Sequence, residues 1–399
     1  MKHLFPGATG HFSLIQGCYW MTYCILISFS SLYLLDRGFT NTQIGLLLGI
    51  AGLTAAILQP FVGAKGDHLK VLSLRQFTSL PIAAMILCGV GLLLVPAKPV
   101  QAALYMVLLV LLQLLTPLIY SLGMDCLNNH IELNFGLACG IGGGTYALAS
   151  AVCGSLAAAL GARVIPLVLV VAVALMLAFT FTFRQGGPVK STLPKPDALP
   201  QSDGTPFLKK YPQVLPLLIG VILLYTSHNV IMNFPYQIVR SLGCGSAEMG
   251  HYLTLQSLMD IPAMVVFSLL LKRASSRAWV RLTGISFFLH ALLTWLAPNL
   301  PFLMVVQVFE MSGYALYSVS SVYFVNEMVD LCDRVQGQTY FTMANTIGIV
   351  LSSVLGGRLL DLGGASAALC LATVTGAAGM VILWFLLRRK SLRPATNAA

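Results

Sequence analysis

Four ionisable side chains sit inside otherwise apolar stretches of this sequence: His228, Asp260, His290 and Glu310. Carboxylates and imidazoles gain and lose protons in the physiological range, so the chemistry they offer inside a membrane is proton exchange. Glu310 is the sharpest of the four. It follows Pro301 by nine positions inside the apolar run 302–324. That places it about 14 Å deep if the run is a helix crossing a bilayer at 1.5 Å per residue. A charge at that depth costs roughly 2.5–3.5 kcal/mol on insertion scales, so such groups face polar cavities and carry ions, protons or substrate. His290 precedes Asn299 by nine positions, and the hairpin joining the two runs brings it to the level of Glu310. Asp260 lies ten residues into its own run, and His228 about twelve from the outer end of another. Packing is the alternative role for His228 and His290. Asp260, two positions before Pro262, has a local alternative in bonding backbone freed by a proline kink. The expected coupling set is Glu310, His290 and Asp260. No cofactor and no metal are expected, because the nine cysteines include no Cys-x-x-Cys pair and a thiol in an apolar run behaves as a small hydrophobe.

Holding four groups at mid-depth requires membrane spans, and the composition demands them. Of 399 residues, 57% are hydrophobic and 9% charged, against about 25% charged in a soluble domain. Twelve apolar segments run roughly 12–35, 42–64, 72–95, 101–123, 137–160, 164–183, 214–241, 248–271, 279–297, 302–325, 338–360 and 365–387. Their length suits helices rather than barrel strands. The first, with the short stretch Met1–His11 before it, reads as an uncleaved span. The expected fold is an all-α membrane protein with 12 transmembrane helices in two pseudo-symmetric six-helix bundles. These cover residues 1–184 and 213–399, joined by a polar linker over 185–212.

With both termini inside, 18 of the 23 Lys and Arg fall on inner segments and five on outer loops. The positive-inside rule therefore sets the orientation, with cytoplasmic termini, and points to a bacterial cytoplasmic membrane. This accounts for the net charge of +10 without a nucleic-acid partner. The lipid bilayer, protons and a small-molecule substrate are the expected partners of a monomer.

The halves carry signs of repetition. Gly38 to Gly45 opens the second span and Gly243 to Gly250 the eighth, offset by 205 residues. Gly136, Gly140 and Gly144 form a small-residue stripe on the fifth span, and Gly348, Ser352 and Gly356 on the eleventh. Such stripes let helices approach closely in lipid, and packing is their expected role. Gly142 to Gly144 is no phosphate loop, since no Gly-Lys-Ser/Thr follows. On the first span Gln16, Tyr19, Trp20 and Tyr23 share one helical face. With Gln113 and Tyr146 they suit a cavity that stacks and hydrogen-bonds an organic solute. Candidate substrate contacts in the C-terminal half are His228, Asn229, Asn233, Asp260 and Gln307.

Two six-helix halves, an inner linker and a polar midplane resemble the major facilitator superfamily. The segment Gln59 to Lys70 is similar to that superfamily's signature loop, keeping Gly63-x-x-x-Asp67 but with His68 in place of the usual basic residue. The resemblance implies a gating role for Gly63 and Asp67 on the cytoplasmic side. A closer likeness is to the lactose permease, or oligosaccharide:proton symporter, branch. Phe135-Gly136-Leu-Ala-Cys139 resembles its Phe-Gly-Arg-Ala-Arg segment, and Val308-Phe309-Glu310 its His-Met-Phe-Glu segment, where the Glu is the proton site. Gln307 stands where that branch has His. Ser353 to Gly357 with Gly363 resembles its eleventh span. The likeness departs at the sugar ligands: Cys139 and His290 replace arginines, and Tyr146 replaces the Trp that stacks on the sugar. Asp260-Ile-Pro262 is similar to a Glu-Ile-Pro segment in carriers of nucleosides and aromatic acids.

The expected function is a proton-coupled symporter of a small organic solute (a sugar, nucleoside, or aromatic or organic acid) working by alternating access. Glu310 would be the proton site, with Tyr146 and the Gln16–Tyr23 face opposite it across a cavity. A proton-driven exporter of the same fold is the main rival, and a non-transporting sensor a lesser one. An enzyme would need the cluster Asp125, Asn128, Asn129, His130 and Glu132, which reads as a loop between the fourth and fifth spans.

Overall fold

The computed structural model describes residues 7–67, 73–128, 131–183, 206–270, 274–330 and 333–388. Among them every regular element is helical. In chain order these are α1 (Gly7–Tyr23), α2 (Ser30–Asp36), α3 (Asn41–Asp67), α4 (Leu74–Leu94), α5 (Lys98–Asn128), α6 (Phe135–Leu160), α7 (Ile165–Thr182) and the short α8 (Phe207–Lys210). There follow α9 (Val214–Asn233), α10 (Pro235–Ser241), α11 (Ser246–Leu270), α12 (Ser276–Trp295), α13 (Leu300–Val306), α14 (Val308–Glu310), α15 (Leu316–Met328) and α16 (Arg334–Arg388). Each of the twelve apolar segments falls on helix. Among the described residues, eight helices are long and apolar enough to cross a membrane, or nine with the bent pair α1–α2. Leucines such as Leu87, 75% exposed, and Leu94, 74% exposed, mark faces that suit lipid rather than water.

Local chemistry sets the helix ends. Ser73 and Gln76 form a reciprocal capping box at the start of α4. Asn134 caps α6 through the Leu137 N–H at 3.0 Å, and Asn299 caps α13 through the Phe302 N–H at 3.0 Å. Two apolar segments are less regular than their sequence suggests. The first is broken by a π-turn over Cys24–Ser28, and α2 leaves at 49°. The hydroxyl of Ser30 donates to the Ile27 carbonyl at 2.7 Å, a back-bond that bends helices. The tenth is cut at Gln307, whose Nε2 donates to the Leu303 carbonyl at 3.1 Å, and a π-turn follows over Met311–Ala315. The last two segments are two helices, together labelled α16, joined directly by a kink at Gly363 and Gly364, where Gly364 takes a φ of 66° that side chains other than glycine resist.

Contacts divide the chain into two compact units. The first joins Met1–Thr192 with Asn233–Leu258, and the second Leu193–Met232 with Met259–Ala399. The segment 233–258, holding α10 and the start of α11, thus falls with the first unit. There α1 packs on α6 and α7, α4 on α5 and α7, and α3 on α5. The glycine repeat survives as matching backbone. Gly38 and Gly243 share a φ of 77°. Gly38 N–H bonds the Leu35 carbonyl at 2.9 Å and Phe39 N–H that of Leu34 at 3.0 Å; Gly243 and Cys244 do the same to Arg240 and Val239 at 3.0 and 3.3 Å. Each is a left-handed helix cap followed by a side-chain cap, Gln43 on the Thr40 N–H and Glu248 on the Gly245 N–H.

In the second unit α12 packs on α15 and α16, around a core that includes Tyr211, Leu217, Leu224, Tyr225, Phe287, Tyr317 and Phe324. Its entry is fastened by Tyr211 and Lys210. The buried Tyr211 hydroxyl stands 2.9 Å from a carboxylate oxygen of both Asp330 and Asp333, and accepts the Asp330 N–H at 3.0 Å. Lys210 Nζ lies 2.7 Å from Asp333 and 3.1 Å from Asp330. Burial pushes the Tyr211 hydroxyl up to about 12. The hydrogen bonds to Asp333 and then Asp330 hold Lys210 above the ordinary lysine range. A raised lysine contributes in full below its unfolded value and loses that contribution only as pH rises through the folded one, so this fastening should be insensitive to pH near neutrality. Tyr211→Phe is expected to lower unfolding free energy in detergent by about 1–2 kcal/mol, the cost of leaving buried polar groups underbonded.

Candidate functional site

The carboxylate of Glu310 sits at the end of α14, immediately before the π-turn, in a position where the helical ladder is locally disrupted. Such turns recur at functional sites. Two imidazoles converge on one of its oxygens. His228 on α9 places Nδ1 3.4 Å from Glu310 Oε2, and His290 on α12 places Nδ1 3.5 Å from the same atom. The three side chains are 4%, 1% and 2% exposed. His228 and His290 thus join Glu310 from separate helices, and His228, expected as a substrate contact, lies on the carboxylate itself. Asp260, half-buried on α11, lies within the electrostatic reach of Glu310.

Three residues that periodicity did not single out fix this cluster. Tyr314 stacks face to face on His228, ring centroids 4.7 Å apart at 4°. Phe287 meets His228 edge-on at 5.6 Å, and Tyr225 does so at 6.4 Å. One signal was available: Tyr314 is four residues past Glu310 and so shares its helical face. Two expected substrate contacts also hydrogen-bond within their own helices. Asn229 donates to the Tyr225 carbonyl at 2.9 Å, and Gln307 to that of Leu303. Asn233 is buried and belongs to the first unit, apart from its helix neighbours His228 and Asn229.

In the first unit the stripe on α1 divides by burial. Gln16 is fully buried and reaches Cys139 Sγ on α6 at 4.0 Å. Tyr19 is buried and pairs its hydroxyl with Thr116 on α5. These two join helices. Trp20 and Tyr23 are half-buried and in ring contact at 5.3 Å. Tyr146 is half-buried, its hydroxyl 2.6 Å from that of Ser28 in the α1–α2 break. Gln113 is half-buried, and its carbonyl accepts from Gln59 at 3.1 Å.

The glycine stripe on α6 does not pack as expected. A methyl group at Gly140 or Gly144 would meet nothing within 4 Å. The close approaches on α6 are at Gly142, where it would fall 2.3 Å from the Trp20 ring, and at Gly154, where it would fall 2.6 Å from the Ser246 carbonyl oxygen. Trp20 lies on the face of α6 carrying Gly142, which is out of phase with the 136–140–144 row. On α16 the expectation holds for Gly348, which packs on α9. Gly63 and Asp67 lie in the last turns of α3, with side chains outside the described residues. The Asp125 to Glu132 cluster is not wholly a loop, since α5 continues to Asn128 and Asp125 is helical. Asn129 and His130 lie outside the described residues, as does most of the 185–212 linker.

Comparison with known proteins accords with this architecture. The family model described as MFS_1 like family matches residues 13–370. No curated protein matches the chain. Among solved structures, the nucleoside transporter NupG is similar at a TM-score of 0.76 and 15% identity, covering 96% of this chain and 99% of its own. A bacterial homologue of the iron transporter ferroportin, in an inward-facing state, gives a TM-score of 0.69 at 14% identity, covering 96% and 99%. An auto-inhibited peptide transporter of the POT family gives 0.70 at 11% identity, covering 99% of each chain. At these identities the likeness speaks for the fold.

Proposed function

The chain belongs to the MFS_1 like family, and we propose that within it the protein is a proton-coupled symporter of a small organic solute. It is an integral, multi-pass membrane protein with a transporter fold, and it is not an enzyme. The observation that carries the reading is one buried carboxylate, Glu310, approached by two imidazoles inside a membrane-embedded unit. A carboxyl in that setting changes charge at a cost that the imidazoles offset, which is what a coupling site requires. In this reading Glu310 takes the proton, His290 and His228 balance its charge, and Asp260 adjusts the local field.

Substrate contacts are assigned to Trp20, Tyr23, Tyr146 and Gln113, the half-buried members of the sequence-derived set in the first unit. Two half-buried rings in contact suit a flat or ring-shaped solute. Together with the nucleoside transporter among the structural neighbours, this puts nucleosides first, with aromatic acids and sugars after. The reading includes twelve spans in two bundles, cytoplasmic termini, a monomer in a bacterial cytoplasmic membrane, and gating at Gly63 and Asp67.

The test is uptake into proteoliposomes with an inward proton gradient, across a panel of nucleosides, sugars and organic acids. At least one solute should accumulate and then leak back when a protonophore is added. Accumulation that follows a sodium gradient, or uptake that ignores the proton gradient, would overturn the reading.

A further inference from the structure

The two imidazole contacts to Glu310 are too long to be good hydrogen bonds. N–H···O pairs lie at 2.7–3.2 Å, whereas these stand at 3.4 and 3.5 Å. His228 Nδ1 is buried and makes no hydrogen bond. The spacing has another meaning. Donors bound to one ion at 2.0–2.1 Å in tetrahedral geometry are separated by about 3.3 Å. One donor atom from each of His228, His290 and Glu310 lies within 4.8 Å of the other two. We propose that these three residues form a binding site for a single divalent transition-metal ion.

The donor set chooses the class of ion. Two imidazole nitrogens and one carboxylate oxygen suit Zn²⁺, Co²⁺ or Fe²⁺, while Mg²⁺ and Ca²⁺ prefer all-oxygen shells. Three ligands leave a fourth position open. The ion would carry two positive charges into a site whose one carboxylate is Glu310. The surroundings hold the ligands in place. Tyr314 stacked on His228 and Phe287 at its edge limit that ring's rotation, and orientation of the first ligands by their neighbours is what sustains affinity. Spacing along the sequence hid this site, because its donors come from three helices with no His-x-x-His or Cys-x-x-Cys run among them. The inference goes beyond the proton reading and does not depend on it. An ion here would tie α9, α12 and α14 together and occupy the coupling carboxylate.

The experiment is titration of the full-length, tag-free, chelator-treated protein in detergent with Co²⁺. Wild type should bind one ion per chain, show the ligand-field absorption of nitrogen- and oxygen-bound Co²⁺, and release it to Zn²⁺. His228→Gln, His290→Gln and Glu310→Gln should each weaken binding by at least about tenfold. His251→Gln, at an exposed position on α11, should leave it unchanged. Each variant is first shown to elute and melt as the metal-free wild type does. Should one site variant not fold, the other two decide. No binding by wild type, or binding untouched by all three site variants, would overturn the proposal. Proton-driven uptake without a Co²⁺ site would leave the coupling reading standing and remove this one.

Discussion

Glu310→Gln should reduce gradient-driven accumulation to simple equilibration while exchange of labelled for unlabelled solute continues near the wild-type rate. Glutamine has the shape of a protonated glutamate and cannot release a proton. The loaded carrier would then keep its neutral, turnover-competent form, and exchange needs only that form. Net uptake needs deprotonation on the inner side, and the variant lacks it. A driving force of about 100 mV is worth about 2.3 kcal/mol per proton, or about fiftyfold accumulation at one proton per solute. The expected change is therefore from about fiftyfold to onefold. The replacement should be mild for the fold, since a glutamine keeps the size of Glu310 and a carbonyl oxygen toward His228 and His290. Full accumulation by the variant would remove Glu310 from the coupling step.

The second large effect concerns helix packing behind the site. A methyl group at Gly348 would lie 2.6 Å from Cβ of Tyr225 and 2.8 Å from the Ile222 carbonyl oxygen. Both obstacles are on or next to the α9 backbone and cannot swing away. Gly348→Ala must therefore push α9 and α16 apart, at a cost of about 1–3 kcal/mol. Tyr225 precedes His228 by less than one turn, so the displacement reaches the imidazole facing Glu310. Loss of thermal stability and slower proton-coupled uptake should appear together. Gly140→Ala is the matched control. Its methyl meets nothing within 4 Å, and removing a helical glycine there should leave stability unchanged or raise it by up to about 1 kcal/mol. Equal melting temperatures for the two variants would show that the Gly348 contact is not the constraint described.

These cases mark what the sequence made legible. Helix positions were readable because a chain in lipid must bond its backbone internally, and apolar runs of span length have few alternatives. The repeat was readable because Gly38 and Gly243 hold a left-handed φ that few other residues adopt. Glu310 and His290 were readable from depth alone. The convergence of His228 on the same oxygen was not, since depth fixes height and not rotation about the helix axis. The same ignorance of rotation misplaced the α6 contacts at Gly136, Gly140 and Gly144 when they lie at Gly142 and Gly154. The breaks at Gln307 and Phe29 escaped notice because no proline or glycine marks them; they arise where side chains take over backbone carbonyls.

The π-turn after Glu310 has a geometric consequence of its own. A helix wound in α form advances about 100° per residue, while a π-turn is wider and advances less. Over Met311–Ala315 the chain lags by nearly one residue's angle. The stretch Leu316–Met328 then faces its neighbours as though one residue had been removed ahead of it. The acid-bearing end and the far end of this span are set to separate compass bearings. Each end can suit its own surroundings, which a straight rod of the same sequence would forbid.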